Sequence, residues 1–311
     1  MDRIDFEAMA ERVRNWGRWG HEDNRGTLNL IGPEALRRGA AAARRGKPFS
    51  LGLRFDRAGP QPAGNERINP QLFLHALDKA IRPDFPRVRY NDDTVVMALQ
   101  CATQWDALSH VHYDGVLYNG CKACDTLTPQ GVRRLGVEHL ADPGITSRGV
   151  LIDVARHHGD AVLPSGHAIT PDDLTAILER QQVTVEPGDI LVVRTGAMRA
   201  LAIDGDAATY RAVQPGLGPE CAEWLFDRQI AAVCADNLAV EVLARDAAQE
   251  YALPLHALCL RDMGMPLGEM FQLEALAADC AADGCYEFLL CAPPLGFTGA
   301  VGSPVNPIAL K

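Results

Sequence analysis

Four largely apolar runs of strand length, all beyond residue 148, limit the possible fold more than any other feature. They lie at 149–155, 189–195, 230–236 and 286–292. Runs without polar alternation are typical of strands that are covered on both faces of a sheet. Helical patterns alternate with these runs. The predicted helices span 170–182, 219–228, 240–249 and 268–282. This alternation predicts an α/β or α+β fold with a buried sheet and peripheral helices.

The first half of the chain contains fewer clear elements. The pattern predicts helices over 4–14 and 33–45, the second because Pro33 suits a helix start and Gly46 follows its end. Strands are predicted at 49–55 and 94–100, and the long Pro-interrupted stretch between them is typical of an excursion over the surface. A length of 311 residues fits one large domain or two small ones.

Composition excludes several classes of partner. The formal net charge of -10 argues against nucleic acid, whose binding needs clustered Lys and Arg. The N-terminus is charged and lacks an apolar signal region, and no apolar run is long enough to span a bilayer. We therefore expect a cytoplasmic protein without membrane contact, whose nine Cys are mostly reduced.

The stretch "ALQCATQWDALSHVHYDG", at 98–115, concentrates polar side chains after a predicted strand. Alternate residues of an extended segment point the same way, so Gln100, Gln104 and Asp106 can share one side. His110 follows a bend of small residues and can fold back onto the same spot. Spacing alone leaves two interpretations open, which are a divalent-metal site with a carboxylate ligand and a polar loop whose groups satisfy one another.

This stretch resembles the signature H-x-G-T-H-x-D-x-P-x-H of the metal-dependent cyclase family, which includes kynurenine formamidase and isatin hydrolase. Thr103, Asp106 and His110 keep the signature residues, whereas Gln100 and Gln104 stand where the family has His. The stretches "WGRWGHEDNRGTLNLI", "RGVLIDVARHHG", "VEPGDILVVRTG" and "LPLHALCLRDMGMPLGEMFQLEALA" also resemble the longer-chain branch of this family. The resemblance implies a swivelling β/β/α cyclase fold as a single domain over 1–311, with the helical segment 1–48 packed on it.

The resemblance also implies a set of metal ligands. It places Gln104, Asp106, His256 and Glu269 around one ion and Gln100, Asp106 and His110 around a second. An amide oxygen is a harder and weaker zinc ligand than imidazole, so the two Gln shift the preference from Zn²⁺ towards Mn²⁺ or Mg²⁺. We expect one divalent ion, Mn²⁺ or Zn²⁺ with Mg²⁺ as a further possibility, because the first set keeps two carboxylates and a His, whereas the second keeps one His and an Asp that it shares with the first.

Each of these residues also has a structural interpretation. His256 can be a hydrogen-bonded core histidine, and Glu269 can be a charge that complements a helix dipole. Gln100 and Gln104 can bond to each other, to backbone or to substrate instead of a metal.

The implied activity is hydrolysis of an amide, lactam or lactone carbonyl in a small substrate, aromatic ones included, by metal-activated water. His110 is the expected base, because imidazole titrates near neutrality, and His112 and Tyr113 are the next candidates. Tyr113 suits a proton donor better than a base because of its high pKa.

Three further residues are candidates for substrate binding. Trp105 can stack on an aromatic substrate or pack in the core. His157 and His158 follow a predicted strand and can line the mouth of a pocket or stand as exposed turn residues.

The alternative function is a family member that has lost its metal and acts as a ligand-binding protein or a metal-independent cyclase or lyase. The replacement of two signature His by Gln100 and Gln104 favours this alternative. Relatives commonly form dimers or tetramers, so the resemblance implies a homo-oligomer.

Overall fold

The computed structural model describes residues 3–212, 214–243 and 252–311. Its strands, β1 to β15 in chain order, are Pro48–Ser50, Gln71–Arg82, Phe85–Val96, Gln104–Asp106, Leu127–Thr128, Gly131–Val132, Thr146–Asp153, Ala168–Ile169, Ile190–Arg194, Gly216–Leu217, Ala232–Ala235, Leu267–Glu269, Glu287–Cys291, Gly302–Pro304 and Ile308–Leu310. Its α-helices, α1 to α11, are Arg3–Arg12, Pro33–Ala42, Ala123–Thr126, Glu138–Ala141, Val154–His158, Pro171–Gln181, Met198–Ala202, Ala207–Ala212, Cys221–Asp227, Pro254–His256 and Glu274–Asp283. Two 3₁₀ segments and a π-helical segment complete the described elements at Gly26–Leu30, Tyr118–Gly120 and Ala257–Met263.

Within the described residues, one sheet of nine strands organises the molecule. Its order is β1-β15-β13-β7-β9-β11-β12-β4-β14. The neighbours β7, β9, β11 and β12 are parallel, and antiparallel strands extend the sheet on both sides. The four apolar runs of the sequence become β7, β9, β11 and β13, which lie together in this sheet. The predicted mixed α/β class is therefore confirmed.

Both faces of the sheet carry a hydrophobic core. Val150 and Ile152 of β7 pack into one core with helix α6, whereas Leu151 between them packs into the other. Helix α6 begins as the sequence predicts, because Thr170 and Asp173 form a capping box at its N-terminus.

Several predicted elements have different bounds. The strand predicted over 49–55 ends at Ser50, because Pro307, which lies opposite Leu51 and accepts its N–H, has no N–H of its own to continue the pairing. The strand predicted over 94–100 ends at Val96. It belongs to a two-stranded hairpin, β2–β3, that lies outside the main sheet.

The helix predicted over 268–282 is wrong in its first part. Leu267–Glu269 is strand β12, which pairs with β11 and β4, and the helix begins at Glu274. A helical pattern was compatible with these residues, but pairing on both sides of the strand decides their conformation. The helix predicted over 240–249 does not begin at Val240, which has φ 57°, and residues 244–249 lie outside the described ranges.

The segment before residue 48 packs on the sheet domain through polar contacts. Asn15 Nδ2 donates to the Met263 carbonyl at 3.0 Å, and Trp16 Nε1 donates to the Arg261 carbonyl at 2.8 Å. All nine cysteines lie among the described residues and are free thiols, as the sequence predicts. Among the described helices, none combines the length and the apolar composition needed to cross a bilayer.

Candidate metal centre

Pairing of β4 with β12 brings together residues that are far apart in the sequence. Gln104 lies opposite Glu269, and Asp106 lies opposite Leu267, in the antiparallel register. Because side chains alternate along a strand, Gln104, Asp106 and Glu269 share one face, and Trp105 faces the other way. All three polar side chains are buried.

His256 completes this group from helix α10. Its Nε2 lies 3.1 Å from Glu269 Oε1 and 3.8 Å from Asp106 Oδ2. Its Nδ1 lies 2.5 Å from Glu241 Oε1, which also accepts the His256 backbone N–H, and Glu241 Oε2 accepts the Leu255 backbone N–H. A carboxylate at Nδ1 fixes the ring and leaves Nε2 directed at Asp106 and Glu269.

Two buried oxygens in this group have no hydrogen-bond partner. Gln104 Nε2 donates to Asp106 Oδ1 at 3.2 Å and to Glu269 Oε2 at 2.6 Å. Gln104 Oε1 and Asp106 Oδ2 accept no hydrogen bond. Burial of a lone polar oxygen is costly, so two of them in one cluster indicate a place for a cation.

The charges of the cluster support the same conclusion. Three buried carboxylates, Asp106, Glu241 and Glu269, surround a single imidazole. Burial and the charge of Asp106 raise the pKa of Glu269, and His256 and Arg67 oppose this shift. Burial would lower the pKa of His256, but hydrogen bonds to Glu241 and Glu269 raise it to about 10. The protein part of the cluster thus carries excess negative charge, which a divalent cation would neutralise.

Gln100 and His110 lie beside Asp106. His110 is partly exposed, with Nε2 3.8 Å from Asp106 Oδ1. Gln100 Nε2 is buried without a hydrogen-bond partner and lies next to Gly302, which pairs with Asp106 across β4 and β14. The structure therefore brings all six residues of the expected ligand set to one region.

Tyr113 belongs to an adjoining network. Its hydroxyl donates to Asp262 Oδ2 at 2.8 Å and accepts a hydrogen bond from Arg261 Nη1 at 2.7 Å. Burial and the charge of Asp262 raise the pKa of Tyr113 well above its usual value. His112 is partly buried in the same loop.

The side chain of Trp105 lies on the opposite face of β4 from this cluster, and His157 and His158 lie on a different part of the sheet. Trp105 is fully buried, packs edge-on against Phe271 with ring centroids 5.7 Å apart, and donates from Nε1 to the Ala292 carbonyl. His157 and His158 end helix α5, which follows β7, three strands away from β12. Adjacent strands are about 4.8 Å apart, so this separation is about 14 Å.

Two residues that act on the site, Glu241 and Arg67, were not predicted from the sequence. Glu241 falls in a segment whose pattern predicts a helix, and only the tertiary structure brings it to His256. Arg67 lies in the irregular chain before β2, and its charge favours ionisation of Glu269.

The donor set fits a divalent metal ion. Asp106, Glu269 and His256 can each place one ligand atom within 4.8 Å of the others, and Gln104 Oε1 is a fourth buried donor. Carboxylate, amide and single imidazole donors suit Mn²⁺ or Zn²⁺ better than a soft metal.

Fold and site together define a mixed α/β protein with a buried carboxylate–histidine centre on β12 and β4, beside the edge strand β14. The family model described as "Putative cyclase" matches residues 54–242, which is more than half of the chain. The protein belongs to this cyclase family, and the identification made from its sequence is confirmed.

Solved structures agree with this assignment. A crystal structure of a novel cyclase is 39% identical, covers 97% of this chain and 99% of its own, and has a TM-score of 0.87. Isatin hydrolase A from Ralstonia solanacearum is 20% identical, with 90% and 98% coverage and a TM-score of 0.63. Isatin hydrolase A from Labrenzia aggregata, bound to benzyl benzoate, is 18% identical, with 85% and 93% coverage and a TM-score of 0.60. A search of curated proteins found no match.

Proposed function

We propose that the protein is a metal-dependent hydrolase that opens an amide, lactam or lactone bond in a small, aromatic or cyclic substrate. The observation that carries this proposal is the buried, unpaired oxygen of Asp106, directed at the same space as His256 Nε2 and next to Glu269. Family membership and the fold of the isatin hydrolases support it.

The proposed ligands of one divalent ion are Asp106, His256 and Glu269, with the amide oxygen of Gln104 as the fourth. Such an ion would polarise a carbonyl and lower the pKa of water. Glu241 would hold His256 in the tautomer with its proton on Nδ1, leaving Nε2 as a donor to the ion. Gln104 would rotate its amide so that its oxygen, now without a partner, faces the ion.

His110 is the proposed base. Its partly exposed ring can exchange protons with solvent, and its Nε2 lies close to Asp106 without a short hydrogen bond to it. The imidazole is therefore placed to take a proton from water near Asp106. Tyr113 is proposed to hold the loop that carries His110, because its hydroxyl joins Arg261 and Asp262.

The alternative is a member that works without a metal ion. Gln104 Nε2 favours it, because this one amide donates to both Asp106 and Glu269 and so satisfies one oxygen of each carboxylate without a cation. A metal-free protein would then bind a ligand, or act as a cyclase or lyase, through the same buried group.

One experiment separates the two functions. Protein purified without chelator is analysed for Mn²⁺ and Zn²⁺ and assayed on N-formyl aromatic amines and isatin-like lactams with and without added Mn²⁺. We expect close to one equivalent of metal and metal-stimulated turnover, both lost in Asp106→Ala and retained in Asp92→Ala, which changes an exposed hairpin residue. If the purified protein contains less than about a tenth of an equivalent of metal and its turnover does not rise with added Mn²⁺, the hydrolase proposal is overturned and the alternative is favoured.

We further propose a homo-oligomer that is held together by the β2–β3 hairpin. This hairpin lies outside the main sheet and exposes Leu77, Phe85 and Val88 at 73%, 63% and 61%. An isolated two-stranded hairpin is marginally stable in water, and exposed apolar patches mark interaction surfaces. A second copy of the chain would cover these residues.

A further inference from the structure

A second cluster of metal-ligand side chains lies at the junction of helices α5 and α6. His158 ends α5, His167 precedes β8, and Asp173 lies in the first turn of α6. Each can place one ligand atom within 4.8 Å of the others. The His158 and His167 rings are 5.1 Å apart between centroids, and His158 Nε2 lies 3.4 Å from Asp173 Oδ1.

The capping box of α6 fixes the carboxylate of this cluster. Asp173 Oδ2 accepts hydrogen bonds from the Thr170 backbone N–H at 2.9 Å and from Thr170 Oγ1 at 2.8 Å. The other oxygen, Oδ1, is left facing His158. A carboxylate whose second oxygen is held by neighbouring donors is the usual arrangement of an oriented metal ligand.

His167 supplies an independent indication of a ligand. Its Nε2 is buried from solvent and has no hydrogen-bond partner. The residue is held in place by its backbone, since its N–H donates to the Pro164 carbonyl and its carbonyl accepts from the Gly216 N–H. A buried imidazole nitrogen without a partner is uncommon and is a ready lone pair for a cation.

We propose that His158, His167 and Asp173 form a second metal site, which takes a first-row transition ion of the Zn²⁺, Ni²⁺ or Cu²⁺ type. Two imidazoles and one carboxylate favour these ions over Mg²⁺ and Ca²⁺, which prefer oxygen ligands alone. Three protein ligands leave a fourth, open position for water at this partly exposed site.

This site is independent of the candidate metal centre. It draws its ligands from residues 158–173, which follow β7, whereas the centre is built on β4 and β12. A bound ion would tie the end of α5 to the start of α6 and the turn before β8. It would therefore stabilise the folded state by mass action, because the unfolded chain does not hold the three ligands together.

The test is equilibrium dialysis against Zn²⁺ with metal analysis of the protein, in an Asp106→Asn background that disables the candidate metal centre. We expect about one equivalent of Zn²⁺ and a rise in melting temperature on its addition. Adding His158→Asn and His167→Asn should remove both effects. The control His139→Asn, a partly exposed histidine in α4 beside Glu138, should retain both.

Zinc binding that is unchanged by the two His158 and His167 substitutions would overturn the proposal, as would Asp106→Asn protein that takes up no zinc. Should Asp106→Asn not fold, the same pair of substitutions in the otherwise unchanged protein must lower bound Zn²⁺ by one equivalent relative to His139→Asn. Electron paramagnetic resonance of bound Cu²⁺ adds an independent readout. The site should show coupling to two imidazole nitrogens. The proposed ligand set of the candidate metal centre contains one imidazole, that of His256.

Discussion

Glu241 Oε1 lies 2.5 Å from Nδ1 of His256, on the side of the ring away from Asp106 and Glu269. The same carboxylate oxygen accepts the His256 backbone N–H at 2.9 Å, so one side chain orients both the ring and the start of helix α10. His256 reaches the candidate centre through its other nitrogen. The carboxylate–imidazole pair is therefore a positioning device for a residue that we propose as a metal ligand.

Glu241→Gln tests this relationship. The amide keeps the shape of the side chain but removes the negative charge at Nδ1, so Nε2 becomes a weaker and less well oriented donor. We expect metal affinity to fall by about 10–100-fold, the usual effect of losing such a partner. Titration with Mn²⁺ measures the change, and Glu34→Gln, at a side chain that is 83% exposed, is the control. Equal affinity in both variants would show that Glu241 does not act through His256.

Gln104→His tests the choice of metal. The register with Glu269 and the buried position on β4 would hold an imidazole towards the same oxygens, and imidazole is a better zinc ligand than an amide. The ratio of Zn²⁺ to Mn²⁺ affinity should rise by about tenfold or more, as measured by competition with a chromophoric chelator. Gln100→His, at the other altered position of the signature, should change the ratio less, since Gln100 lies beside Gly302 of β14, whereas Glu269 of β12 lies on the other side of β4. Equal changes in the two variants would contradict the assignment of ligands.

The sheet and its capped helix could be predicted from the sequence because their signals are local. Continuous apolar runs need burial on both faces wherever they occur, and Thr170 and Asp173 form their hydrogen bonds within one turn. The signature around Asp106 could likewise be found by its spacing, and the structure places Gln104 and Asp106 on one face of β4.

The role of Glu241 could not be predicted, because it depends on tertiary contacts. The pattern around it is helical, yet Val240 has a left-handed backbone, and only the approach of helix α10 gives Glu241 its partner. Residues 267–269 show the same limitation, since pairing with β11 and β4 outweighs their helical pattern.

Gly268→Ala tests the packing beneath the candidate centre. A β-carbon at this position would lie 2.6 Å from the β-carbon of Cys234 and 2.9 Å from the rings of Phe271 and Trp105. Strand β12 must then move, and Glu269 moves with it. We expect a loss of about 1–3 kcal/mol in the free energy of unfolding together with weaker metal binding. Gly296→Ala, whose β-carbon would have its nearest neighbour at 3.7 Å, is the control for chemical denaturation and metal titration.

Acid should weaken the fold through Asp283. Burial would raise the pKa of this carboxyl, but hydrogen bonds from Lys311, the Cys285 backbone and Arg45 lower it to about 2. Because the folded-state pKa lies below the unfolded value of about 3.9, the stabilisation is complete above that value and is lost as pH falls towards 2. In urea unfolding at pH 5, 4 and 3, the loss of stability should be smaller in Asp283→Asn than in the unchanged protein by about 1 kcal/mol or less, after allowance for solvent screening. Asp84→Asn, in an exposed ion pair of the hairpin, should behave like the unchanged protein.

Charges on the β2–β3 hairpin should dissociate the proposed homo-oligomer. Leu77 and Val88 are among the most exposed apolar residues of the hairpin, and aspartate at both sites would place two charges on the surface that a second copy is proposed to cover. We expect Leu77→Asp with Val88→Asp to lower the mass in light scattering to that of one chain, because an unpaired charge buried at an interface costs several kcal/mol. Ile203→Asp changes a residue that is 57% exposed outside the hairpin and should leave the mass unchanged. A single-chain mass for the unchanged protein at micromolar concentration, or an oligomer that survives both substitutions, would show that the hairpin is not the contact between copies.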